Sequence, residues 1–316
     1  MPEPGAPPLN AAVEEACFMG GPMADVTHIL RKISLTGASF IIWGESGTGK
    51  NLFAYLAHRL SPRHDGPYAE ISCSALPESL VETELFGYVR GAFTGAAADH
   101  AGRLIQADKG TLVLDELDHL SPAGQAKLLR VVETGRFSPI GSQTVIRLDT
   151  RFIGITQQNP EILVQKGLLR PDLYYRISLF SVGLPPLREA TKSLAELTDF
   201  LANDEARRLQ REAIQVTPSV LARLSRHDFP GNIRELRNLI RRWTLLKPGK
   251  PVTVDDLPGS GTSPAGPATW PTLQELEREH IRKTLALTGG RKTEAARLLG
   301  IHRKTLLEKR KLYDLD

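Results

Sequence analysis

Short apolar runs, each closed by polar residues, organise the first half of the chain. Phe40-Ile41-Ile42-Trp43 is entered from a polar turn and left through a Gly-rich stretch, and Leu52 to Leu60 then follows with helical spacing. That order is strand, loop, helix. Tyr68 to Ile71 is a second strand candidate, Thr111 to Leu114 a third ending in Asp115-Glu116, and Arg151 to Thr156 a fourth ending in Thr156-Gln157-Gln158-Asn159. Helical stretches between them, clearest over Pro122 to Glu133, predict βαβ units and a mostly parallel sheet, hence an α/β fold. After Leu184-Pro185-Pro186-Leu187 the pattern becomes purely helical. Ser193 to Glu212, Pro218 to His227 and Asn232 to Leu246 predict a small bundle. Pro258 to Pro271 is dense in Gly, Pro, Ser and Thr and reads as a flexible linker. Leu273 to Leu287, Thr293 to Leu299 and His302 to Leu312 predict three further helices.

Composition narrows the class. A chain of 316 residues can bury one sizeable core with one or two small satellites. There is no run of about eighteen apolar residues, which argues against a membrane-spanning helix. Met1 to Asn10 lacks the basic-then-apolar order of a secretory signal. Cys17 and Cys73 are the only cysteines, too few for a disulfide framework or a zinc site, and a reducing cytoplasm fits. The net charge of +4 is concentrated at the end: Thr272 to Asp316 carries eleven Lys/Arg against seven Asp/Glu. A basic tail with helical patterning points to nucleic acid.

Two motifs carry candidate chemistry. Gly44-Glu45-Ser46-Gly47-Thr48-Gly49-Lys50 lies between an apolar strand and a helix, the context of a phosphate-binding loop. Its backbone N–H groups and the helix start would cradle phosphates, with Lys50 reaching the β- and γ-phosphates of ATP. Asn51 stands where Ser or Thr usually places a hydroxyl on Mg²⁺, so the metal must lean on water and on Asp115. Asp115-Glu116 closes its strand as a Walker B pair would, with Asp115 holding hydrated Mg²⁺ and Glu116 orienting or deprotonating the attacking water. The second motif, Gly91-Ala92-Phe93-Thr94-Gly95-Ala96, reads as a glycine-bounded loop with an aromatic tip.

With these residues, the chain resembles the AAA+ bacterial enhancer-binding proteins, activators of RNA polymerase carrying sigma-54, from about Phe18 to its end. Gly91 to Ala96 matches that family's GAFTGA loop at every position, which implies Phe93 and Thr94 as the sigma-54 contact. The resemblance also implies Thr156 as a nucleotide sensor, Arg170 and Arg176 as arginine fingers reaching a neighbouring subunit, and Arg234, in Pro230-Gly231-Asn232-Ile233-Arg234-Glu235-Leu236, as the sensor on a helical lid. Asn232 reads as the N-cap of that lid helix. A ring oligomer, usually a hexamer, would follow. The implied boundaries are a short tail over 1–17, an AAA+ α/β part over 18–188, a helical lid over 189–257, the linker over 258–271 and a DNA-binding domain over 272–316. Some seventeen residues ahead of the ATPase part are too few for a receiver domain, so control by a separate protein in trans, or by abundance, is expected.

The chain departs from the family at several positions. Asn51 replaces a usual Glu, Ser72 stands where an Asn normally pairs with the catalytic Glu, Gln157 replaces the Asn after the sensor Thr, and Val89 replaces an acidic residue before the loop. Ser72, being shorter, is expected to leave Glu116 less restrained. Asn51, Ser72 and Gln157 sustain a second reading, a weakly hydrolysing DNA-binding subunit of a hetero-oligomer.

At the end of the chain, Thr293 to Ile301 is a short helix closed by Gly300, followed at once by His302 to Leu312, a helix-turn-helix layout. Ala295, Ala296, Leu299 and Leu306 sit where the helices must pack. Arg303, Lys304 and His302 stand at the start of the recognition helix, within reach of base edges. Lys309 and Lys311, with Arg291 and Lys292, suit phosphates; Arg297 on the preceding helix joins the basic set. The segment resembles the dimeric Fis-type domains that end this family and read paired sites on upstream double-stranded DNA.

Overall fold

Both faces of the first strand are apolar because both are covered. In the computed structural model, which describes residues 22–190, 193–257, 273–289 and 291–313, helix α1 (Pro22–Thr36) leads into β1 (Phe40–Trp43), whose Phe40, Ile41 and Ile42 are fully buried. Then come α2 (Lys50–Arg59), β2 (Tyr68–Ser72), α3 (Glu78–Phe86), the single turn α4 (Arg103–Gln106), β3 (Thr111–Asp115) and α5 (Pro122–Thr134). A two-residue-stranded hairpin, β4 (Arg136–Phe137) and β5 (Ile146–Arg147), precedes β6 (Arg151–Thr156), α6 (Pro160–Gln165), α7 (Pro171–Ile177) and β7 (Ser181–Gly183). The five long-range strands form one sheet in the order β2-β3-β6-β1-β7, with every pairing parallel. Strand side chains alternate between two core layers. Phe40, Ile42, Val113 and Ile155 pack with Leu30 and Ile33 of α1 and Phe53 and Leu56 of α2. Ile41, Leu112 and Leu114 pack with Val81 and Leu85 of α3, Leu128 and Val131 of α5, and Leu173 and Ile177 of α7. Parallel sheets need this double cover, and it explains why the inner strands β1, β3 and β6 read as nearly continuous apolar runs, whereas the edge strand β2 alternates.

A helical layer continues the same compact unit, which runs to Val254. It comprises α8 (Leu194–Leu209), β8 (Gln215–Val216), α9 (Pro218–Leu224), α10 (Asn232–Leu246) and β9 (Pro251–Val252). On α10, Leu236, Ile240 and Trp243 recur at helical spacing and are all buried. Two acids of α8, Asp204 and Glu205, are buried against this helix. Arg237 donates to Asp204 at 3.1 Å and Arg241 to Glu205 at 2.8 Å, so neither charge is left uncompensated. The expectation of a purely helical second half is corrected here: β8 pairs with β9, the two strands parallel. Two-residue strands bury too little to leave an alternating signature. The same reason hid β4, β5 and the edge strand β7, where Gly183 is needed because a Cβ would lie 2.6 Å from the Trp43 ring.

The second unit contains α11 (Leu273–Leu287), α12 (Lys292–Leu298) and α13 (Arg303–Leu312). Ile281, Ala295, Ala296 and Leu306 form its core, with Leu299 packed at its edge. The alanines let the helices approach closely, and Gly300, with φ of +65°, turns the chain between α12 and α13. The expected tail over 1–17 and the linker over 258–271 lie outside the described residues. No helix among the described residues is long and apolar enough to cross a membrane.

His58 tests the packing of α2 on the sheet. It is 3% exposed, its Nδ1 lies 2.9 Å from Thr111 Oγ1, and burial pushes its pKa down to about 4. The unfolded chain, with an ordinary histidine, takes up a proton first as pH falls. Stability from this residue is therefore full above about 6.5 and is lost as pH falls towards 4, by roughly 2–3 kcal/mol. Thermal melts should show a steeper loss of Tm between pH 7 and pH 4.5 in wild type than in His58→Gln.

Candidate nucleotide and partner sites

The sheet register sets the site. Trp43 pairs with Thr156, Ser72 with Asp115 and Leu114 with Gly154, which aligns the C-terminal ends of β1, β2, β3 and β6. Open parallel sheets bind ligands at such an edge. The loop Gly44–Gly49 leaves β1 with Gly47 at φ +81° and Gly49 at φ +96°. At Gly47 space also demands glycine, since a Cβ would stand 2.3 Å from the Gly231 carbonyl oxygen. Gly49 starts α2 with no side-chain cap, and the first helical bond runs from Phe53 N–H to Gly49 C=O at 3.1 Å. The amides before it, with the positive helix end, make an anion cradle. Lys50 is buried beside them, and its Nζ donates to the carbonyls of Gly44 at 2.7 Å and Glu45 at 2.9 Å. Burial lowers its pKa, and Asp115 opposes that shift. Thr48 turns its hydroxyl to the Glu45 carbonyl at 2.9 Å, bracing the loop rather than facing the cavity.

A cavity of about 340 Å³ opens over this cradle, and Lys50, Asn51, Asp115, Glu116 and Arg234 all line it. The residues suit a nucleoside triphosphate: a glycine loop, a lysine and carboxylates at strand ends. For Mg²⁺ the fit is through one carboxylate. Asn51 Nδ2 donates to Asp115 Oδ2 at 3.1 Å and to Glu70 Oε1 at 2.5 Å, which leaves Asp115 Oδ1 for a hydrated cation. Among the described residues no group of three His, Cys, Asp or Glu side chains could hold a metal alone. A cation completed by phosphate oxygens and water needs only one such ligand. Glu116 adopts a left-handed backbone, φ +54°, and its Oε1 accepts from Gln157 Nε2 at 2.7 Å. The expected loose Glu116 is thus corrected. Ser72 Oγ lies 3.4 Å from Ser74 Oγ, and a restraint comes instead from the end of β6.

The helical layer closes on the loop. Arg234 donates from Nη1 to Ser46 Oγ at 2.9 Å and from its backbone N–H to Gly47 C=O at 3.3 Å. Asn232 is not the N-cap expected; Gly231 holds that position, with no side-chain cap. Fully buried at φ +49°, Asn232 instead accepts from Leu187 N–H at 2.8 Å and donates to Ser46 C=O at 3.0 Å and Glu45 Oε2 at 3.2 Å. Arg188 clasps Glu45 with two bonds, 2.9 and 2.6 Å. Glu45 therefore serves as an anchor between loop and lid. Arg188 and Arg237 escaped the sequence reading of the site, and Gln157 and Asn232 were named there without these contacts. Arg237 was findable, because it stands one turn after Arg234 on an amphipathic helix and lines the same cavity.

The remaining candidates divide. Thr156 is fully buried, its Oγ1 donating to Gln158 C=O at 2.8 Å and its carbonyl accepting from Gly44 N–H at 3.3 Å. Here it braces the loop, with its hydroxyl already engaged. Arg170 and Arg176 stand at the two ends of α7, outside the cavity of their own chain. Arg170 forks onto Asp172 at 3.1 and 2.7 Å, and Arg176 reaches Glu133 C=O at 3.5 Å. Gly91 to Ala96 forms a tight turn closed by Gly91 N–H to Ala96 C=O at 2.9 Å. Its glycines are there for conformation: φ is +81° and +106°, with open space around both. Phe93 is 43% exposed and touches Tyr88 edge-on at 4.9 Å; Thr94 is exposed beside it. The β4–β5 turn supports the loop base, Gly141 lying under Ala92.

In the second unit, Arg297, Arg303 and Lys304 are exposed. His302 caps α13, its Nδ1 accepting from Lys304 N–H at 3.3 Å. Lys309 is paired: its Nζ bonds Glu277 Oε1 at 2.6 Å, and Tyr313 OH donates to the other oxygen at 2.6 Å. Here it links α13 to α11. Lys311 belongs to α13.

Three family models account for the chain: a sigma-54 interaction domain over residues 19–183, an AAA+ ATPase lid domain over 188–268 and a bacterial regulatory protein, Fis family, over 272–313. The chain is 39% identical to the DNA-binding transcriptional regulator NtrC of Escherichia coli K12, covering 96% of this chain and 71% of that one. It is 39% identical to the Nif-specific regulatory protein of Azotobacter vinelandii, covering 88% of this chain and 55% of the relative. Among solved structures, NtrX from Brucella abortus superposes with a TM-score of 0.74 at 27% identity, covering 96% of this chain and 70% of NtrX. NtrX has also been solved in complex with ATP, at a TM-score of 0.70 and 27% identity over 94% of this chain and 69% of that one.

The Glu45 contact predicts a pH-resistant closure. Arg188, then Asn232, hold the Glu45 carboxyl down at about 2. The tie is complete above the ordinary carboxylate range and is lost only as pH falls through that low value. Amide-exchange protection over 232–236 should be the same at pH 7 and pH 5. Arg188→Ala should lower it about two- to fivefold at both, the modest effect of an exposed ion pair.

Proposed function

The chain belongs to the sigma-54-interacting, NtrC-like AAA+ transcriptional activators, and on that footing we propose how its residues divide the work. The cradle of Gly44 to Gly49, Lys50 and Arg234 binds ATP. Mg²⁺, held by Asp115 and water, would neutralise phosphate charge when bound. Glu116 orients the attacking water and takes its proton. Arg170 and Arg176, which lie outside their own cavity, serve a neighbouring subunit in a ring, a hexamer in our reading, and stabilise charge developing on the transferred phosphoryl group. Nucleotide state then moves the Gly91–Ala96 loop, and Phe93 with Thr94 presses on sigma-54 to remodel the closed polymerase complex. The terminal helix-turn-helix, over 272–316, holds the assembly on upstream DNA through Arg303 and Lys304, in the cytoplasm.

One observation carries this reading: a half-exposed Phe93 stands on a glycine-hinged turn within the same unit as the phosphate cradle. Exposed aromatic area of that kind is costly to leave in water and useful against a partner. A second reading, a nucleotide-sensing subunit with little turnover, draws on Asn51, whose amide occupies one oxygen of Asp115.

Steady-state hydrolysis separates the two. Wild type should turn over ATP well above Glu116→Gln; equality of the two supports the subunit reading instead. Phe93→Ala should keep turnover within about twofold while abolishing open-complex formation on a sigma-54 promoter. In DNA titrations, Arg303→Ala should narrow the preference for operator over random sequence by about one to two orders of magnitude. Lys311→Ala should weaken both alike and flatten the salt dependence.

A further inference from the structure

We infer that Gln157 is the positioning residue for Glu116, holding its carboxylate in the orientation that hydrolysis requires; this rests on the ATPase reading above. Glu116 lies just beyond β3 in a left-handed conformation, φ +54°. A non-glycine residue keeps that conformation only where its surroundings impose it. The hydrogen bond to its side chain comes from Gln157 Nε2, 2.7 Å from Oε1, which leaves Oε2 for water. Both residues line the cavity over Lys50. The strand on the other side of β3 offers nothing equivalent: Ser72 of β2, in register with Asp115, has its hydroxyl 3.4 Å from that of Ser74.

The backbone that carries Gln157 is fixed on both sides. Before it, buried Thr156 accepts the Gly44 amide and donates its hydroxyl to Gln158 C=O. After it, Gln158 Oε1 accepts from Lys166 Nζ at 2.6 Å, and Asn159 Oδ1 caps α6 through Glu161 N–H at 2.9 Å. A donor on such a rigid support removes rotamer freedom from the acceptor and costs little on binding. Glu116 is thereby tied to the junction of β6 with the phosphate loop, so its direction follows the segment that holds the triphosphate.

Steady-state kinetics with ATP and Mg²⁺, together with binding of a fluorescent ADP analogue, test this. Gln157→Ala should lower kcat about ten- to hundredfold, the range for losing a hydrogen bond to a charged group. KM for ATP and the analogue's Kd should stay within about twofold. Gln157→Glu, of equal shape but with no donor when ionised, should lose as much. Adding Ser72→Asn to Gln157→Ala, which returns an amide from the neighbouring strand, should restore kcat to within about threefold of wild type. Unchanged kcat in Gln157→Ala, a change confined to KM and Kd, full activity in Gln157→Glu, or no recovery in the double variant each overturns the assignment. Wild type equal to Glu116→Gln overturns the ATPase reading itself, a result distinct from all of these.

Discussion

The register of the parallel sheet is the constraint on which the rest depends. Trp43 lies opposite Thr156 and Leu114 opposite Gly154, so three strands end at the same level. Only in that alignment can the loop after β1, the acids at the end of β3 and the amide after β6 meet over one cavity. A slip of one residue would also turn Ile41 and Leu112 out of their core layer, so packing and site are specified together. Gly44 N–H to Thr156 C=O then stitches the loop to the neighbouring strand, passing any movement of the loop directly to the segment beyond β6.

The lid depends on closeness of a different kind. Gly47 stands so near Gly231 that it tolerates no larger residue, an added Cβ meeting the Gly231 carbonyl oxygen at 2.3 Å; a Cβ on Gly231 would meet the Glu235 side chain of its own segment at 2.8 Å. Around that contact, Asn232, Arg234 and Arg188 each bond to Glu45, Ser46 or Gly47. Two polypeptide segments nearly two hundred residues apart thus act as a single wall of the cavity. The buried pair Asp204 and Glu205 supports the wall from behind, since Arg237 reaches from the cavity side to both acids. Charge placed in the cavity would therefore be felt by α8 through one side chain.

Much of the fold was legible because its signals are local. Four strands of the main sheet announced themselves as apolar runs, and α10 was bounded by its amphipathic period. The strands that stayed hidden, β4, β5, β7, β8 and β9, are two or three residues long and carry no period to read. At the site, the glycine loop with Lys50 and the acids at the end of β3 were visible from spacing, and the six-residue GAFTGA match came from the family resemblance. The partners of those residues were not. Ser72 read as a loosened anchor, yet Gln157 supplies the restraint, and Asn232 read as a cap but serves as a bridge. Lys309 read as a phosphate contact, and its pairing with Glu277 was not foreseen.

By itself, the sequence settled what depends on neighbours along the chain: element type, the phosphate-loop pattern, the aromatic loop and a basic helical end. Periodicity and turn chemistry act over a few residues, so they survive in a linear reading. The pairing of polar side chains was decided only in three dimensions. A carboxylate or amide has several donors or acceptors within reach of its length, and which one it takes is set by strand register and lid closure.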